Sequence, residues 1–383
     1  MTSDMSRQSV AAQPGRKIRV LLLGPDLVAV SGVSTHLNQL IGSSLASDVD
    51  LQHFIVGSEG QRETRIARLI RLLFSPIMLA ARIIRSRPDI VHINVSMDHK
   101  SFPRDAVYLA VARMLRCKAV FQVHGGVMPQ NLYRSEFLRD QFVRRALRSA
   151  SVVVLLGTSE LGAYSRFVPD TNLQVIPNGI AIPEQLSLPE GVRSGPLHLT
   201  YIGRLVATKG VAECIEAARL LIAAGRDFRL TIAGTGPQEE ELRAQAAPLI
   251  ERGLVEFVGA KFGPDKDKLW RDSDVFVFPT NHVEGLPYSL LESMAVGTVP
   301  ITTRVGAQPD VVEEGVHGLF IPSGDPQALC EAIVELDDDR ARLSRMSQQC
   351  MSRIRQDYSV ERLAAEFGHL YASLVPEGSA EVG

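Results

Sequence analysis

Residues 275–297 read VFVFPTNHVEGLPYSLLESMAVG, and this stretch contains the order of elements that decides the fold. The apolar run at 275–278 predicts a buried strand, and a polar loop follows it. A helix is expected to start near Pro287, because proline suits the first turn of a helix, where its missing N–H is no loss. Strand, loop and helix in this order form the repeating unit of a parallel α/β sheet.

The same unit recurs along the whole chain, which at 383 residues is long enough for two domains of roughly 150–200 residues each. In the first half, short apolar runs predict strands at 18–23, 51–56, 90–93, 119–123, 152–155 and 173–176. Prolines and glycines at 182–196 predict a linker, after which the alternation restarts at 197–202. We therefore predict an α/β protein with two doubly wound Rossmann-like domains that face each other across a cleft.

The predicted division places the first domain at 17–190 and the second, ligand-binding domain at 191–357. Residues 1–16 are expected to be a disordered N-terminus, and 376–383 a frayed tail. Residues 358–375 carry an apolar stripe at helical spacing, formed by Val360, Leu363, Phe367, Leu370 and Leu374. We expect this last helix to pack back on the first domain.

Composition excludes several classes of protein. Hydrophobic residues make up 45% and charged residues 22%, which is typical of a globular protein and not of a disordered or fibrous one. The four cysteines form no close pair, which argues against a zinc site or a disulfide framework and favours a reducing compartment. No secretory signal is expected, so the predicted location is cytoplasmic.

The loop quoted above carries the first chemical signal, because ligands of open parallel sheets bind beyond the carboxyl ends of strands. The backbone N–H groups of Leu286, Tyr288 and Ser289 are expected to face the cleft, where they and the helix dipole suit a diphosphate. Glu292 could accept hydrogen bonds from two ribose hydroxyls, and Glu284 could reach a sugar hydroxyl. Alternatively, both glutamates only favour the positive end of a helix, worth about 0.3–1 kcal/mol.

A second loop, in TYIGRLVATKG at 200–210, carries two cations. Gly203 allows the backbone to approach a ligand closely, and Arg204 and Lys209 could clamp a diphosphate. The alternative is an ordinary solvated basic loop. A third turn, at Gly234, lacks the last glycine of a dinucleotide fingerprint and is interpreted as a helix-opening turn near the same ligand.

Together these segments resemble the retaining GT-B glycosyltransferases of group 1 and family 4. The resemblance rests on the E-x7-E spacing from Glu284 to Glu292 and on GRLVATKG. It continues through TIAGTGPQEEEL, VEFVGA and DVFVFPT in the second half and through IPNGI in the first. It therefore covers the whole second half and scattered loops of the first, and it implies the GT-B fold.

The resemblance also implies roles for single residues. Arg204 and Lys209 would neutralise the pyrophosphate that leaves, Glu292 would hold the ribose, and Glu284 the hydroxyls of the transferred sugar. Gly32, in AVSGVSTHL, would lie near the donor phosphates, and His124, in FQVHGG, beside the reacting sugar. The resulting catalytic set is His124, Glu284, Arg204 and Lys209, and the donor-binding set is Gly32, Gly203, Arg204, Lys209, Gly234, Glu284, Gly285, Leu286, Pro287, Tyr288, Ser289 and Glu292.

The resemblance implies a mechanism in which the acceptor hydroxyl attacks from the side on which the phosphate leaves, so that the anomeric configuration is retained. No metal or other cofactor is expected. Asp272-Ser-Asp274 has the spacing of a D-x-D metal motif, but it precedes a predicted strand instead of following it.

The first half of the chain is basic and predicts a separate role. Residues 1–190 contain 22 Lys and Arg against 15 Asp and Glu, which gives +7, and the remaining 19 against 28 give −9. The segment 65–87 carries six arginines, no acidic residue and many interleaved apolar residues. A basic amphipathic helix can lie on an anionic bilayer, at the inner face of the cell membrane. A solvated helix face is the equal alternative.

The predicted reaction moves a sugar from a nucleoside-diphosphate donor, UDP before GDP, to a saccharide or polyprenyl-linked acceptor, in cell-surface polysaccharide or glycoconjugate biosynthesis. Nucleic acid is not expected as a partner. A sugar-nucleotide epimerase with the same fold, a glycosidase using the two glutamates, and an inactive transferase-like binding scaffold are the alternatives.

Overall fold

The computed structural model describes residues 16–57, 59, 63–133, 137–182, 195–282 and 284–375. These residues form two six-stranded sheets with helices on their faces, which confirms the predicted α/β class. The predicted tail at 376–383 lies outside the described residues, and so does the predicted N-terminal segment except for Arg16.

The first sheet has the strand order β2-β1-β3-β4-β5-β6, and neighbouring strands are parallel. The order in which strands are added reverses between β1 and β3, because β2 lies on one side of β1 and β3 to β6 lie on the other, so the sheet is doubly wound and its switch point lies there. All six predicted strands are present, but some of their ends differ from the prediction. Strands β3 and β4, for example, extend several residues beyond their apolar runs. The strands are β1 Ile18–Gly24, β2 Val49–Ile55, β3 Ile90–Met97, β4 Lys118–Gly126, β5 Val152–Leu155 and β6 Leu173–Val175.

The second sheet has the order β12-β11-β10-β7-β8-β9 and is also parallel throughout. Its switch point lies between β7 and β10, the two strands that precede the loops at Arg204 and Glu284. The strands are β7 Leu197–Ile202, β8 Phe228–Ala233, β9 Val255–Gly259, β10 Val275–Phe278, β11 Val299–Thr302 and β12 Leu319–Phe320.

Helices connect successive parallel strands, as such crossovers require. Those of the first half are α1 Gly32–Gly42, α2 Leu45–Asp48, α3 Arg65–Ser86, α4 Ser101–Met114, α5 Phe137–Ser149 and α6 Thr158–Phe167. Those of the second half are α7 Val211–Ala223, α8 Glu239–Glu251, α9 Gly263–Arg271, α10 Tyr288–Ala295 and α11 Gln308–Val311. Three more helices follow the last strand: α12 Pro326–Asp338, α13 Arg340–Asp357 and α14 Val360–Leu374.

Helix α14 packs on the first sheet, although it follows the second domain in the chain. Its buried residues Leu363, Phe367 and Tyr371 share one apolar core with Val20 of β1 and Val120 of β4. The chain therefore crosses twice between the two sheets, and the second crossing is bonded to the first. Residue Ile180 accepts a hydrogen bond from the backbone N–H of Val360 at 2.8 Å and donates one to the carbonyl of Tyr358 at 2.9 Å.

The two halves also touch where the first sheet's β4 ends. Gly125 pairs with Glu284 in an isolated antiparallel bridge, and a side chain on Gly125 would place its Cβ 2.4 Å from the backbone nitrogen of Gly285. Only glycine allows this approach, so the glutamate loop of the second domain is held against the end of β4.

Candidate functional site

A cavity of about 510 Å³ opens between the two halves, at the carboxyl ends of β7, β8 and β10. Its walls come from the loops after these strands and, on the opposite side, from residues 27–32 at the start of α1. Ten of the predicted residues line it: Gly32, Gly203, Arg204, Lys209, Gly234, Glu284, Pro287, Tyr288, Ser289 and Glu292. The structure thus brings together loops that are up to 260 positions apart, from Gly32 to Glu292.

The floor of this cavity is built from backbone. The loops after β7 and β8 approach so closely that a Cβ on Gly234 would lie 1.8 Å from the carbonyl oxygen of Gly203. Any side chain at position 234 would push the loops apart, so glycine is required for the shape of the floor.

Lys209 and Glu284 form an ion pair in the cavity wall, and both side chains are nearly buried, with 11% and 12% of their surface exposed. The Glu284 carboxylate also accepts a hydrogen bond from Thr280 Oγ1 at 3.3 Å, and the Lys209 ammonium lies 5.4 Å from the centre of the Phe278 ring. These contacts hold both groups in fixed positions. The carboxylate and the ammonium are therefore preorganised within the cavity.

Arg204 is the exposed cation of the site. Its side chain forms no ion pair within the described part of the chain. Its backbone is held in place, because its carbonyl accepts a hydrogen bond from the buried Tyr201 hydroxyl at 3.0 Å. A guanidinium of this kind can donate two parallel hydrogen bonds to a phosphate.

Helix α10 points its N-terminus at the cavity. Pro287 is the residue before the helix, with φ −66° and ψ 128°, so it does not occupy the first helical turn in which the sequence placed it. The helix has no side-chain cap, and the N–H groups of Tyr288 and Ser289 at its start have no partner within the helix. Both residues line the cavity, where these N–H groups suit an anion.

Gly285 and Leu286 lie behind the cavity wall instead of lining it. Leu286 is buried, and its carbonyl accepts a hydrogen bond from Asn178 Nδ2 at 2.8 Å. Leu286 is therefore not among the residues that line the cavity, unlike Tyr288 and Ser289. Asn178, in the IPNGI segment, thus joins the two domains by a hydrogen bond that was not predicted from the sequence.

Glu292 is paired with a lysine that sequence reasoning missed. Lys266 of α9 places its ammonium 2.7 Å from Glu292 Oε1, and Trp270 Nε1 donates to Oε2 at 3.4 Å. Lys266 also lines the cavity. The only sequence signal for Lys266 was its position after the carboxyl end of β9, where ligand-binding residues are expected.

His124 lies on β4, is partly exposed and does not line the cavity. Its Nε2 is 2.7 Å from Asn94 Oδ1, and its ring meets the edge of the His36 ring at 4.7 Å between centroids. Burial and the nearby imidazoles of His36 and His92 hold the pKa of His124 well below its ordinary value, so the ring is neutral. Its neighbour Gly125 pairs with Glu284, so the His124 backbone lies against the glutamate loop.

His36 and His92 complete a buried histidine cluster. His92 is hydrogen-bonded to Tyr371 Oη at 2.7 Å and to Gln122 Oε1 at 2.9 Å. Burial lowers the pKa of His36 to about 4 and that of His92, with help from the imidazole of His36, to about 3. His36 lies 3.3 Å from the hydroxyl of Tyr288, so the cluster contacts helix α10.

Among the described residues, no three His, Cys, Asp or Glu side chains lie close enough to hold a metal ion together. The two aspartates of the D-x-D sequence, Asp272 and Asp274, have other partners. Asp274 accepts from the backbone N–H of His198 at 2.9 Å, and Asp272 pairs with Lys268, both at the end of β10 that is remote from the cavity.

Two family models match the chain, one in each half. Residues 30–182 match the glycosyltransferase family 4 model, and residues 196–339 match the model of the glycosyl transferases group 1. The boundary between the two matches falls in the segment that joins the two sheets.

A curated relative is WcaL of Salmonella typhimurium, whose name describes a colanic acid biosynthesis glycosyltransferase. It is 30% identical over 185 residues, which are 47% of this chain and 46% of WcaL. The match thus spans about half the length of the relative.

Solved structures match over almost the whole chain. Sucrose-phosphate synthase from Thermosynechococcus elongatus superposes with a TM-score of 0.73 at 19% identity and covers 94% of this chain and 99% of its own. HepE of Anabaena, solved in complex with UDP-glucose, gives a TM-score of 0.71 at 17% identity and covers 93% and 100%. At these identities the likeness shows the fold, which is the predicted GT-B arrangement.

Proposed function

This chain belongs to the group 1 and family 4 glycosyltransferases with the GT-B fold, and on that premise we propose that it transfers a sugar from a nucleoside-diphosphate donor to an acceptor hydroxyl. One observation carries the proposal. A single cavity collects an exposed arginine, an ion-paired lysine, the open N-terminus of α10 and two glutamates, which together can hold a diphosphate and two sets of sugar hydroxyls.

The donor is proposed to be a UDP-sugar, a choice supported by the UDP-glucose complex of HepE. Its diphosphate binds between the Arg204 guanidinium and the N–H groups of Tyr288 and Ser289, since these are the groups in the cavity that suit an anion. Glu292 accepts hydrogen bonds from the ribose hydroxyls, and Lys266 holds its carboxylate in position.

In the proposed reaction, the bond between the sugar's anomeric carbon and the phosphate oxygen breaks, and a bond from the acceptor oxygen to that carbon forms. The acceptor's proton passes to a phosphate oxygen, so the nucleoside diphosphate leaves, and the sugar keeps its anomeric configuration. Arg204 and Lys209 stabilise the charge that develops on the leaving group, as preorganised donors do in a dry site. We propose that no metal ion is needed, because these cations supply the positive charge.

The acceptor is proposed to be a saccharide carried by a lipid, which places the protein at a membrane surface during polysaccharide biosynthesis. Helix α3 supports this part of the proposal. Its residues Ile66, Ile70, Leu73, Ile77 and Ile84 follow helical spacing along one face, and each has more than half of its surface exposed. The opposite face packs into the core of the first domain.

Exposed apolar side chains also occur on the two neighbouring helices. Met114 of α4 and Phe137 and Leu138 of α5 have 81%, 74% and 81% of their surface exposed. A contiguous exposed apolar face, such as the one along α3, marks an interaction site. None of the helices in the described part of the chain is long and apolar enough to cross a bilayer, so the proposed attachment is peripheral.

Thermal unfolding in the presence of UDP-, GDP- and ADP-sugars tests the donor. A bound donor at 100 times its dissociation constant adds about 2.7 kcal/mol to the free energy of unfolding. We expect a UDP-sugar to raise the melting temperature and a lipid-linked acceptor to trigger release of UDP. Conversion of the nucleotide sugar without acceptor would instead indicate an epimerase, and stabilisation without any turnover would indicate a binding scaffold.

A further inference from the structure

A second cavity, of about 490 Å³, lies in the first domain at the carboxyl ends of β1, β2 and β3. This is the switch point of the first sheet, the place where an open doubly wound sheet offers a ligand site. The donor cavity occupies the equivalent switch point of the second sheet. The two cavities share a wall, because Val33 lines one and its neighbour Gly32 lines the other.

Three cations surround this cavity. Arg68 and Lys100 are exposed and form no ion pair within the described ranges. Arg104 donates through Nε and Nη2 to the buried carboxylate of Asp105, at 2.7 and 3.1 Å. Its remaining Nη1 points toward the loop after β2, where a Cβ on Gly57 would lie 3.1 Å away.

Two carboxylates also line the cavity, and neither is paired with these cations in the described residues. Asp98 accepts hydrogen bonds from the backbone N–H groups of Lys100 and Ser101 at 2.8 and 2.9 Å, and so closes the N-terminus of α4. Glu59 is exposed. Arg68 and Lys100 are thus free to meet an anion that enters from solvent, whereas Arg104 keeps its pair with Asp105 and has only Nη1 to offer.

The cavity is a groove between α3 and α4, and its character changes along the helices. Arg68 and Lys100 lie at the start of these helices, beside the ends of the strands. Leu72, Pro76 and Val107 line the groove farther along. From there the exposed apolar face of α3 continues to the protein surface. A cationic end joined to an apolar run fits an anionic headgroup attached to a hydrocarbon chain.

We propose that this groove binds the acceptor through its phosphate or diphosphate group, with Arg68, Lys100 and Arg104 as the ligands, and that the acceptor's polyprenyl chain lies along α3. The inference rests on the proposed function and names the anionic group and the chain of its acceptor. The amide of Asn94 lines the groove and holds His124 at 2.7 Å. The groove is therefore connected through β4 to the glutamate loop, and the acceptor's sugar would extend toward the donor.

Vesicle binding by the full chain tests the groove. The probes are phosphatidylcholine vesicles that contain polyprenyl diphosphate and vesicles that carry the same negative charge as phosphatidylglycerol. We expect the wild type to bind the first about tenfold more tightly, which corresponds to about 1.4 kcal/mol, because the groove cations donate charge-assisted hydrogen bonds to the diphosphate. The double variant Arg68→Ala/Lys100→Ala should lose this preference. The matched control, Arg85→Ala/Arg113→Ala, removes one exposed arginine from each of the same two helices outside the groove and should keep it.

Three outcomes would overturn the inference. The groove variant could keep the preference, or the control could lose it equally, which would show general attraction to surface charge only. In the third outcome, the wild type shows no preference for polyprenyl diphosphate, but inorganic diphosphate binds and its binding depends on Lys100. The ligand would then be a water-soluble phosphate compound. Thermal stabilisation by UDP-glucose is measured on the same samples, so that a failure of the groove proposal can be told apart from a failure of the donor proposal. A wild type that UDP-glucose does not stabilise would contradict the proposed function and not the groove.

Discussion

Lys209 and Glu284 are ion-paired in the wall of the donor cavity, with both side chains nearly buried. The pair joins the short loop after β7 to the loop after β10, the two strands at the switch point of the second sheet. Each group fixes the other, so the cavity holds a positioned carboxylate and a positioned ammonium before any donor arrives. Two groups that the sequence suggested for different parts of the donor are in direct contact.

Removing the lysine of this pair should affect both stability and turnover. In Lys209→Met, the Glu284 carboxylate stays largely buried without its counter-charge, so we expect the free energy of unfolding to fall by about 1–3 kcal/mol. The kcat for sugar transfer should fall about 100-fold or more. Urea unfolding and steady-state kinetics measure the two effects. Unchanged stability together with unchanged kcat would show that the pair has no role in either.

Arg204 is expected to separate function from stability. Because its side chain is exposed and pairs with no described residue, Arg204→Ala should change the free energy of unfolding by less than about 0.5 kcal/mol. It should lower kcat by about 10²–10³-fold, as the loss of one charge-stabilising donor does. The control is Arg252→Ala, an exposed arginine at the end of α8 and outside the cavity. Equal activities of the two variants would contradict the assignment.

Lys266 is predicted to act on donor affinity through Glu292. Lys266→Ala frees the Glu292 carboxylate from its 2.7 Å partner, so the ribose contact loses its fixed geometry. We expect the Kd for UDP-glucose to rise about tenfold, with a smaller change in kcat, measured by titration calorimetry and kinetics. Lys268→Ala, on the same helix but paired with Asp272, should leave Kd unchanged. If both variants bound the donor like the wild type, Lys266 would have no positioning role.

The buried histidine cluster predicts a pH dependence. The pKa of His92 is about 3 in the folded chain and about 6.5 when unfolded, so between these values only the unfolded state takes up the proton. Its contribution to stability is therefore present above pH 6.5 and is lost as the pH falls, by about 1.4 kcal/mol per pH unit. The stability of His92→Gln relative to the wild type should rise by this slope below pH 6.5, measured by urea unfolding. A constant difference would contradict the prediction.

The comparison with a variant is needed because other groups act in the opposite direction. Burial raises the pKa of Asp105 to about 6 and that of Glu160 to about 7. These folded-state values lie above the unfolded ones, so both groups stabilise the folded chain at low pH and less as the pH rises. The pH profile of the wild type alone would mix the two effects.

The exposed face of α3 predicts membrane binding. Ile77→Glu places a charge on that face, where 64% of the isoleucine surface is exposed, so the melting temperature should change little. Co-sedimentation with anionic vesicles should fall several-fold, since the face loses apolar area and gains repulsion. Ile250→Glu, on the partly exposed surface of α8, is the control. Equal sedimentation of the wild type and both variants would show that the exposed face of α3 does not bind membranes.

The sequence predicted the fold because the apolar runs of parallel strands and the helical stripes are local patterns. The last helix, for example, begins at Val360 and ends at Leu374, close to the stripe from which it was predicted. The two-residue strand β12 was not predicted, because so short a run carries no periodicity. Its place in the sheet depends on its pairing with β11.

The site was predictable as far as it follows strand ends, and not where it depends on long-range contacts. Arg204 and Lys209 were predicted from the loop that follows β7, and Glu292 from the helix that follows β10, and all three line the cavity. Lys266 and Asn178 were missed, because their partners are 26 and 108 positions away. His124 was placed beside the reacting sugar by resemblance, and that role stays a prediction, since the residue does not line the cavity but lies next to Gly125, which pairs with Glu284.

The position of a bound donor tests the central claim most directly, and the measurement is a crystal structure of the chain with UDP-glucose. The account predicts that the diphosphate lies within hydrogen-bond distance of the Arg204 guanidinium and the N–H groups of Tyr288 and Ser289, with the ribose at Glu292. Nucleotide bound away from this cavity, or a diphosphate that contacts neither Arg204 nor the start of α10, would contradict it.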